Sequence, residues 1–351
     1  MLEFSKKEGE ELLHLACKNG QVTLIKNLLK ANVDINALTA EGFSSLHWSA
    51  IDGNMEVTEL LLNNGANIDI KDSKWGSSPL LYACQIGRTK IVQMLIKKGA
   101  NINVQNDDGS KAINFAAQSG KIEIVKILLQ KGLDLNCKDY DGETPLYYTV
   151  YNLRFPIFCK PKNASEMVKF LIENGAKIDE ATVTYETPSI HAITEANLDV
   201  VKLLISYGAN VNRVGNSDST PLHYAARCYP SNTEIIKILI DNGAEVNALY
   251  KDLKMSALHY VVGSFSSEIV RLLLESGADP EQRSVFGFMP LDVALRCEDD
   301  QFVKTYLEFN PYLIAKQISS RLSPIQYSLE QDNLSAFKMI ITHCHKYILY
   351  Q

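Results

Sequence analysis

Thr220–Ala226 reads TPLHYAA, and Ile238–Ala248, a little further on, reads ILIDNGAEVNA. In the first segment Thr220 is a helix cap, and Pro221 suits the first helical position because an N–H there would have no partner. The second segment predicts another helix, which Gly243 ends in the left-handed conformation. Two such short helices cannot bury their apolar sides alone, so the segment predicts a stack of similar units.

The same pair of signals recurs along the chain about every 33 residues. Ten helix starts lie at Glu11, Ser44, Ser78, Lys111, Thr144, Thr187, Thr220, Ser256, Met289 and Ser323. Ten helix stops lie at Asn32, Gly65, Gly99, Gly132, Gly175, Gly208, Gly243, Gly277, Asn310 and Cys344. A period this regular predicts one continuous repeat array with one continuous core.

Within each unit the second helix carries an apolar stripe with the 3.6-residue period of an amphipathic helix. In the fourth unit the stripe consists of Ile124, Val125, Leu128 and Leu129. Histidines recur at the fourth position of the start motif, as His14, His47, His223 and His259. Their recurrence favours structural imidazoles that hydrogen-bond within and between repeats over acid–base or metal-binding groups.

These motifs, together with LLISYGANVN at Leu203–Asn212, resemble the ankyrin-repeat family from about Glu11 to His345. The resemblance implies an all-α repeat solenoid, in which helix-turn-helix units are linked by β-hairpin-like fingers, and a single ankyrin-repeat domain over residues 1–351. Departures such as KAIN at Lys111 and MPLD at Met289 indicate divergent units of the same fold. The resemblance also places the ligand on the concave face, formed by the finger tips and by two residues near the end of each first helix.

That register gives the residues that we expect to contact a protein partner: Phe43, Ile51, Asp52, Lys74, Trp75, Gln85, Ile86, Tyr140, Tyr151 and Arg227. Apolar residues at positions that the core does not require favour a partner surface, although single exposed apolar side chains are also normal. Trp75 lies in a finger one residue longer than most. It is either a hinge that packs on the next finger or an exposed anchor.

The fifth unit contains an insertion at about 153–164, between its two helices. Pro156 and Pro161 exclude a continuous helix there. Phe155 and Phe158 within it either fold over the helix ends or contact the partner, since loops of this length are often functional. We therefore include both phenylalanines among the candidate partner-binding residues.

Three finger asparagines, Asn36, Asn136 and Asn247, each follow an aliphatic residue, with an acidic residue one position earlier. This pattern resembles the site of asparaginyl hydroxylation in ankyrin proteins. The alternative is that a finger asparagine hydrogen-bonds the turn, and it is the simpler interpretation.

Catalytic motifs are absent from the sequence: it has no G-x-S-x-G, no glycine-rich phosphate loop and no H-E-x-x-H. His343 and His345 would point to different faces of a helix, so we expect no catalytic residue, no metal and no cofactor. The sequence predicts a non-enzymatic interaction scaffold or adaptor that binds a protein on its concave face, in one variant a host-directed effector. The alternative is the targeting or recognition portion of a larger enzyme, channel or toxin.

Composition adds expectations about partners and location. The net charge of -6 opposes binding to nucleic acid, and no window approaches 18 uninterrupted apolar residues, so we expect no membrane insertion. Seven cysteines without a C-x-x-C pair indicate a reducing compartment. We therefore expect a monomeric, cytoplasmic protein, and secretion as an effector without a cleavable signal remains compatible with the sequence.

Overall fold

The computed structural model describes residues 5–151, 164–228, 233–264, 266–310, 324–330 and 333–349. Within these ranges lie twenty α-helices, which alternate as the first and second helix of a pair. The first helices are α1 (Lys6–Lys18), α3 (Ser45–Asp52), α5 (Pro79–Ile86), α7 (Ala112–Gln118), α9 (Pro145–Val150), α11 (Pro188–Thr194), α13 (Pro221–Arg227), α15 (Ala257–Tyr260), α17 (Pro290–Arg296) and α19 (Pro324–Glu330). The second helices are α2 (Val22–Lys30), α4 (Met55–Asn63), α6 (Thr89–Lys97), α8 (Ile122–Gln130), α10 (Ala164–Glu173), α12 (Leu198–Ser206), α14 (Thr233–Asp241), α16 (Ser267–Glu275), α18 (Asp300–Phe309) and α20 (Leu334–Leu349).

The helix pairs form two compact units, Met1–Val183 and Thr184–Gln351, called unit 1 and unit 2 below. Unit 1 contains α1 to α10, and unit 2 contains α11 to α20. The single continuous array over residues 1–351 stays a prediction, and the boundary between the two units lies in the connection that follows the pair interrupted by the insertion. Within each unit, consecutive first helices pack against one another, and each second helix except α16 packs against the first helix of its own pair. Helix α16 packs instead against the second helices α14 and α18.

The apolar stripe of the second helix forms the core of each repeat. In α8, Ile124, Val125 and Leu128 are completely buried and Leu129 is half-buried. Burial of each such side chain stabilises the folded protein by about 1.5–3 kcal/mol. The polar exception is Thr58 in α4, which is also buried, and its hydroxyl donates a hydrogen bond to the Asn54 carbonyl at 2.7 Å.

Histidines link neighbouring repeats, as the sequence predicts. The Ser44 backbone N–H donates to Nδ1 of His47 at 3.1 Å, so the ring proton must be on Nε2. Nε2 then donates to the Ser77 carbonyl of the next repeat at 3.0 Å. The rings of His223 and His259 make the same two contacts, with next-repeat carbonyls at 3.2 and 3.1 Å. Each link therefore requires a neutral imidazole.

In two divergent repeats, other side chains make the cap contact of the histidine, and one of them also links to the next repeat. At the equivalent position in α7, Oδ1 of Asn114 accepts the Lys111 N–H at 3.2 Å, and its Nδ2 donates to the Glu143 carbonyl at 3.3 Å. In α17, Oδ2 of Asp292 accepts the Met289 N–H at 2.8 Å. The departures from the motif therefore preserve the cap, which explains why the fold is unchanged.

The first helix starts earlier than the repeat predicts. Helix α1 begins at Lys6 rather than near Glu11, because Ser5 and Glu8 form a capping box in which the cap residue lies six residues before Glu11. The Glu11 N–H is then inside the helix and cannot bond to the His14 ring. His14 keeps only the contact with the next connection, from Nε2 to the Ala37 carbonyl at 2.8 Å, and its buried Nδ1 has no partner among the described residues.

Nine of the ten predicted helix stops lie just after the end of a second helix, and the stop at Cys344 is wrong. The seven glycine stops have φ between 86° and 96°, and Asn32 has φ 57°. Asn310 directly follows Phe309, the last residue of α18, but its φ is -136° rather than positive, and its N–H bonds to the Tyr306 carbonyl. Cys344 lies inside α20, which runs from Leu334 to Leu349 without a glycine or proline that would end it.

The side-chain amide of Asn106, buried in the connection before α7, lacks the hydroxyl partner that the equivalent residues of the adjacent repeats have. The Tyr82 hydroxyl donates to Asp72 at 3.3 Å, and the Tyr148 hydroxyl donates to Asp139 at 2.7 Å. Between them, the equivalent pair is Asn106 and Phe115. The Asn106 side chain is 3% exposed, and its Nδ2 has no partner among the described residues.

We predict that Phe115→Tyr stabilises the protein by about 1 kcal/mol, because the new hydroxyl can accept the Asn106 amide hydrogen. The measurement is the urea midpoint followed by circular dichroism. Tyr148→Phe is the matched control, which should lower stability by about 1–3 kcal/mol because it leaves Asp139 without its hydroxyl donor. A Phe115→Tyr variant less stable than the wild type would contradict the prediction.

We also predict that stability falls as the pH drops below about 6.5, the ordinary pKa of histidine. Burial lowers the pKa of His47, His223 and His259 in the folded chain. The unfolded chain therefore binds protons more readily, so the stabilisation is complete above about 6.5 and is lost as the pH falls through the folded pKa values. Each histidine contributes at most about 1.4 kcal/mol per pH unit.

The matched control for this pH dependence replaces His47, His223 and His259 together by asparagine, because Asn114 already makes both contacts without a titratable group. Urea midpoints between pH 7 and 5 should then vary less than in the wild type. If the urea midpoint changes equally with pH in the two proteins, these rings do not set the acid sensitivity.

Candidate functional site

In the described part of the chain, eight fingers connect a second helix to the first helix of the next pair, at residues 33–43, 66–77, 100–110, 133–143, 176–186, 209–219, 244–255 and 278–288. Most close on themselves through a backbone hydrogen bond. The Asn106 N–H, for example, donates to the Ser110 carbonyl at 3.1 Å, and the Gly215 N–H donates to the Ser219 carbonyl at 2.8 Å. The fingers are therefore ordered turns that project from the helix stack.

Within unit 1, backbone hydrogen bonds connect each finger tip to the next. The Ser73 N–H donates to the Gly42 carbonyl at 3.2 Å, and the Asp107 N–H donates to the Trp75 carbonyl at 2.9 Å. The Tyr140 N–H continues the series to the Asp108 carbonyl at 3.0 Å. These tips form one continuous edge, called the finger edge of unit 1 below.

Finger asparagines add side-chain links at the finger bases. In Asn136, Nδ2 donates to the Gly175 carbonyl at 3.1 Å and Oδ1 accepts the Lys177 N–H at 2.8 Å. Asn247 bridges to Gly277 and Asp279 in the same way, and Oδ1 of Asn36 accepts the Asn67 N–H at 2.8 Å. These contacts support the structural interpretation of the three asparagines, and their hydroxylation stays a prediction.

Every finger has a left-handed residue two positions before the next helix start. In unit 1 it is always glycine, for two reasons. Besides the positive φ, a Cβ on Gly109 would lie 2.7 Å from the Tyr140 ring, and one on Gly142 would lie 3.1 Å from the Val183 nitrogen. In unit 2 the position is taken by Tyr185, Asp218, Lys254 and Gly287, with φ between 50° and 81°.

Exposed apolar side chains are concentrated on the fingers. Nine of the sixteen exposed large hydrophobic residues of the described chain are finger residues: Leu38, Trp75, Tyr140, Val183, Tyr185, Val214, Leu249, Val285 and Phe286. The fingers contain less than a third of the described residues. The fingers therefore carry most of the exposed apolar side chains, whereas most other apolar residues of the described chain are buried in the helix stack.

The structure separates the predicted partner-binding residues into groups. Asp52, Lys74, Trp75, Tyr140 and Arg227 are exposed, with Trp75 at 37% and Tyr140 at 70%. Phe43, Ile86 and Tyr151 are half-buried, and Phe155 and Phe158 lie outside the described residues. All of the described residues in this set belong to unit 1 except Arg227, which is in unit 2.

Two members of the predicted set are wrong as surface residues. Ile51 is 8% exposed and Gln85 is 7% exposed. Both lie near the ends of first helices, where the next repeat covers them. The Arg88 side chain, for instance, donates from Nε to the Ile51 carbonyl at 2.8 Å. The accessible surface is therefore carried by the fingers more than by the helix ends.

Trp48 is a half-buried residue of this surface that the sequence reasoning missed. Its ring lies 5.1 Å from the Phe43 ring, and the Lys18 ammonium lies 5.0 Å from its centroid. In unit 2, Arg227 lies 5.7 Å from the Tyr260 ring in the same way. Both cations come from the eighth position of a repeat and both rings from the fifth position of the next, so comparing repeats position by position would have found the pairs.

Of the five cysteines whose burial the structure describes, only Cys297 is exposed. Burial raises the pKa of Cys17 and Cys137 to about 11, and it also raises the pKa of Cys84 and Cys228. Thiols with raised pKa values are poor nucleophiles at neutral pH. Among the described residues, no three histidine, cysteine or acidic side chains are grouped to hold a metal ion. None of the described helices has the length and apolar character to cross a membrane.

The stacked helix pairs and projecting fingers define a helical repeat protein with an exposed, apolar finger surface. Comparison with known families finds ankyrin repeats at residues 13–106, 80–179 and 157–250, and a further ankyrin repeat at 254–285. These matches cover more than half of the chain, which therefore belongs to the ankyrin-repeat family. Ankyrin repeats generally mediate protein–protein interaction, and such domains are generally non-catalytic.

Several relatives share this repeat region. The chain is 27% identical to the putative ankyrin repeat protein L371 of Acanthamoeba polyphaga mimivirus, over 62% of this chain and 28% of the relative. It is 38% identical to human neurogenic locus notch homolog protein 2 over 21% of this chain and 3% of the relative. It is 31% identical to mouse palmitoyltransferase ZDHHC13 over 57% of this chain and 31% of the relative. The similarity thus spans less than a third of each of these relatives.

Proposed function

We propose that the chain is a non-enzymatic scaffold that binds a protein partner through its fingers. The observation that carries this proposal is the concentration of exposed apolar side chains on the fingers. These residues are exposed although the fingers themselves are held by backbone hydrogen bonds. A surface that is ordered before binding loses little conformational entropy when a partner docks.

The aromatic members of the surface are the best candidates for binding anchors. Tyr140 and Trp75 both lie on the finger edge of unit 1, and the Lys74 ammonium lies 5.3 Å from the Trp75 ring centroid. Tyrosine and tryptophan dominate binding hot spots because they bury a large rigid surface. Ile51 and Gln85 are left out of the proposed site because they are buried.

The setting of this activity is part of the proposal. Cys17, Cys84, Cys137, Cys228 and Cys297 are free thiols. Free thiols persist in a reducing compartment, which supports a cytoplasmic protein or an effector delivered into a host cytosol, and we propose that the protein is a monomer.

A second candidate function is the recognition portion of a larger enzyme. The similarity to mouse palmitoyltransferase ZDHHC13, over 57% of this chain, favours it. In that case the fingers would select the protein that a catalytic domain acts on. Both candidates use the same surface, so the binding experiment below applies to each.

We predict that replacing Trp75 and Tyr140 together by alanine removes most specific binding partners. The full chain is used as bait in cell extract, and captured proteins are quantified by mass spectrometry. Loss of two aromatic anchors should reduce partner recovery about tenfold or more.

The matched control replaces Met55 and Tyr207 by alanine, because both are exposed apolar residues outside the fingers: Met55 is the first residue of α4, and Tyr207 directly follows α12. Proteins retained by this control and lost by the finger variant are the specific partners. The proposal is wrong if the wild type and the finger variant capture the same proteins in the same amounts.

A further inference from the structure

We propose that the finger edge of unit 1 recognises an arginine-bearing extended segment of its protein partner. This inference rests on the proposed function and adds the chemistry of the ligand. Its centre is the exposed ring of Tyr140 and the carboxylates of the preceding finger.

Tyr140 is held in place although it is 70% exposed. Its N–H donates to the Asp108 carbonyl at 3.0 Å, and its ring lies over Gly109, where a Cβ would be only 2.7 Å away. One side of the ring thus covers glycine backbone, while most of the ring remains accessible. A fixed, accessible aromatic ring is a preorganised platform for a cation.

Two carboxylates lie on the finger whose tip contacts Tyr140. Asp107 is exposed and Asp108 is half-buried, and neither side chain forms an ion pair or hydrogen bond with a described residue. Their backbone is fixed, since the Asp107 N–H bonds to the Trp75 carbonyl and the Asp108 N–H bonds to Oδ1 of Asn106 at 3.2 Å. They are therefore available to accept hydrogen bonds from a partner.

The finger tips of the two units differ in charge. The tips are taken here as the residues five to two positions before each helix start. In unit 1 the tip residues that reach the surface include four acids and one base: Glu41, Asp107, Asp108, Asp141 and Lys74. In unit 2 the tips have equal numbers of acids and bases: Asp218, Asp252, Lys251 and Lys254. Charge complementarity therefore favours a basic ligand at the finger edge of unit 1.

Arginine fits this surface better than lysine. Its planar guanidinium can stack on an aromatic ring while its N–H groups donate to carboxylates, whereas an ammonium acts as a point charge. A single exposed cation–ring contact strengthens binding only about two- to fivefold. Useful affinity thus requires several contacts along the row of tips, which an extended segment can make.

The test uses fluorescence anisotropy with the full chain and a labelled peptide of about twelve residues that alternates arginine and serine. Matched peptides replace arginine by lysine or by glutamate. We expect the arginine peptide to bind most tightly and the glutamate peptide not to bind. Asp107→Asn with Asp108→Asn should weaken arginine-peptide binding about tenfold. Tyr140→Ala should weaken it several-fold, and Tyr140→Phe, which keeps the ring, should bind like the wild type.

The matched control is Glu245→Gln with Asp252→Asn, which removes two exposed negative charges from unit 2. Its binding should equal that of the wild type. If this control and the Asp107/Asp108 variant lose equal affinity, the peptide senses only net charge and the inference is overturned. Wild-type binding by Tyr140→Ala would overturn it as well.

The inference and the proposed function fail separately. If partner capture does not depend on Trp75 and Tyr140, the proposed function is wrong. If capture depends on those rings but is unchanged in the Asp107→Asn/Asp108→Asn variant, only the basic ligand is excluded. Capture that is lost in both variants, together with arginine-selective peptide binding, supports both.

Discussion

Burial of one helix pair against the next is the interaction on which the rest of this structure depends. A second helix such as α8 has three completely buried aliphatic residues, and its own pair cannot cover them. Stacking also fixes the side-chain links between repeats, because the His47 ring reaches the Ser77 carbonyl only when two repeats are in register. These links are made by neutral groups, which explains how Asn114 can replace a histidine without changing the fold.

Stacking also determines which residues remain exposed and can contact a partner. The ends of the first helices are covered by the next repeat, so Ile51 is buried although its position in the repeat suggested a binding residue. The fingers project beyond the stack, and their tips are held mainly by backbone hydrogen bonds. A side chain on a tip can therefore change without removing a contact of the core. This separation allows the finger tips of the two units to differ in charge while the helix pairs stay alike.

The repeat predicted most of the fold because it reports local rules that hold in every unit. Start motifs such as Ser44 and Thr144 lie one residue before α3 and α9, and the glycine stops have the expected positive φ. The predicted helix boundaries were wrong where residues outside the repeat pattern determine where a helix begins or ends. Ser5 and Glu8 extend α1 upstream, and Cys344 does not end α20 because nothing in that stretch breaks a helix. The site was less predictable, because exposure depends on neighbouring repeats, as the buried Gln85 and the overlooked Trp48 show.

The left-handed finger position shows how packing restricts the surface. In unit 1 each next finger lies so close that only glycine fits, and Tyr140 stacks on Gly109 for this reason. Tyr185 in unit 2 takes the same backbone conformation with φ 63°, at a cost of about 1–3 kcal/mol for a bulky side chain. Its ring is 65% exposed, so burial of the ring returns little of that free energy. The two tyrosines are therefore presented in different ways. Tyr140 covers a glycine of the previous finger, whereas Tyr185 occupies the glycine position itself.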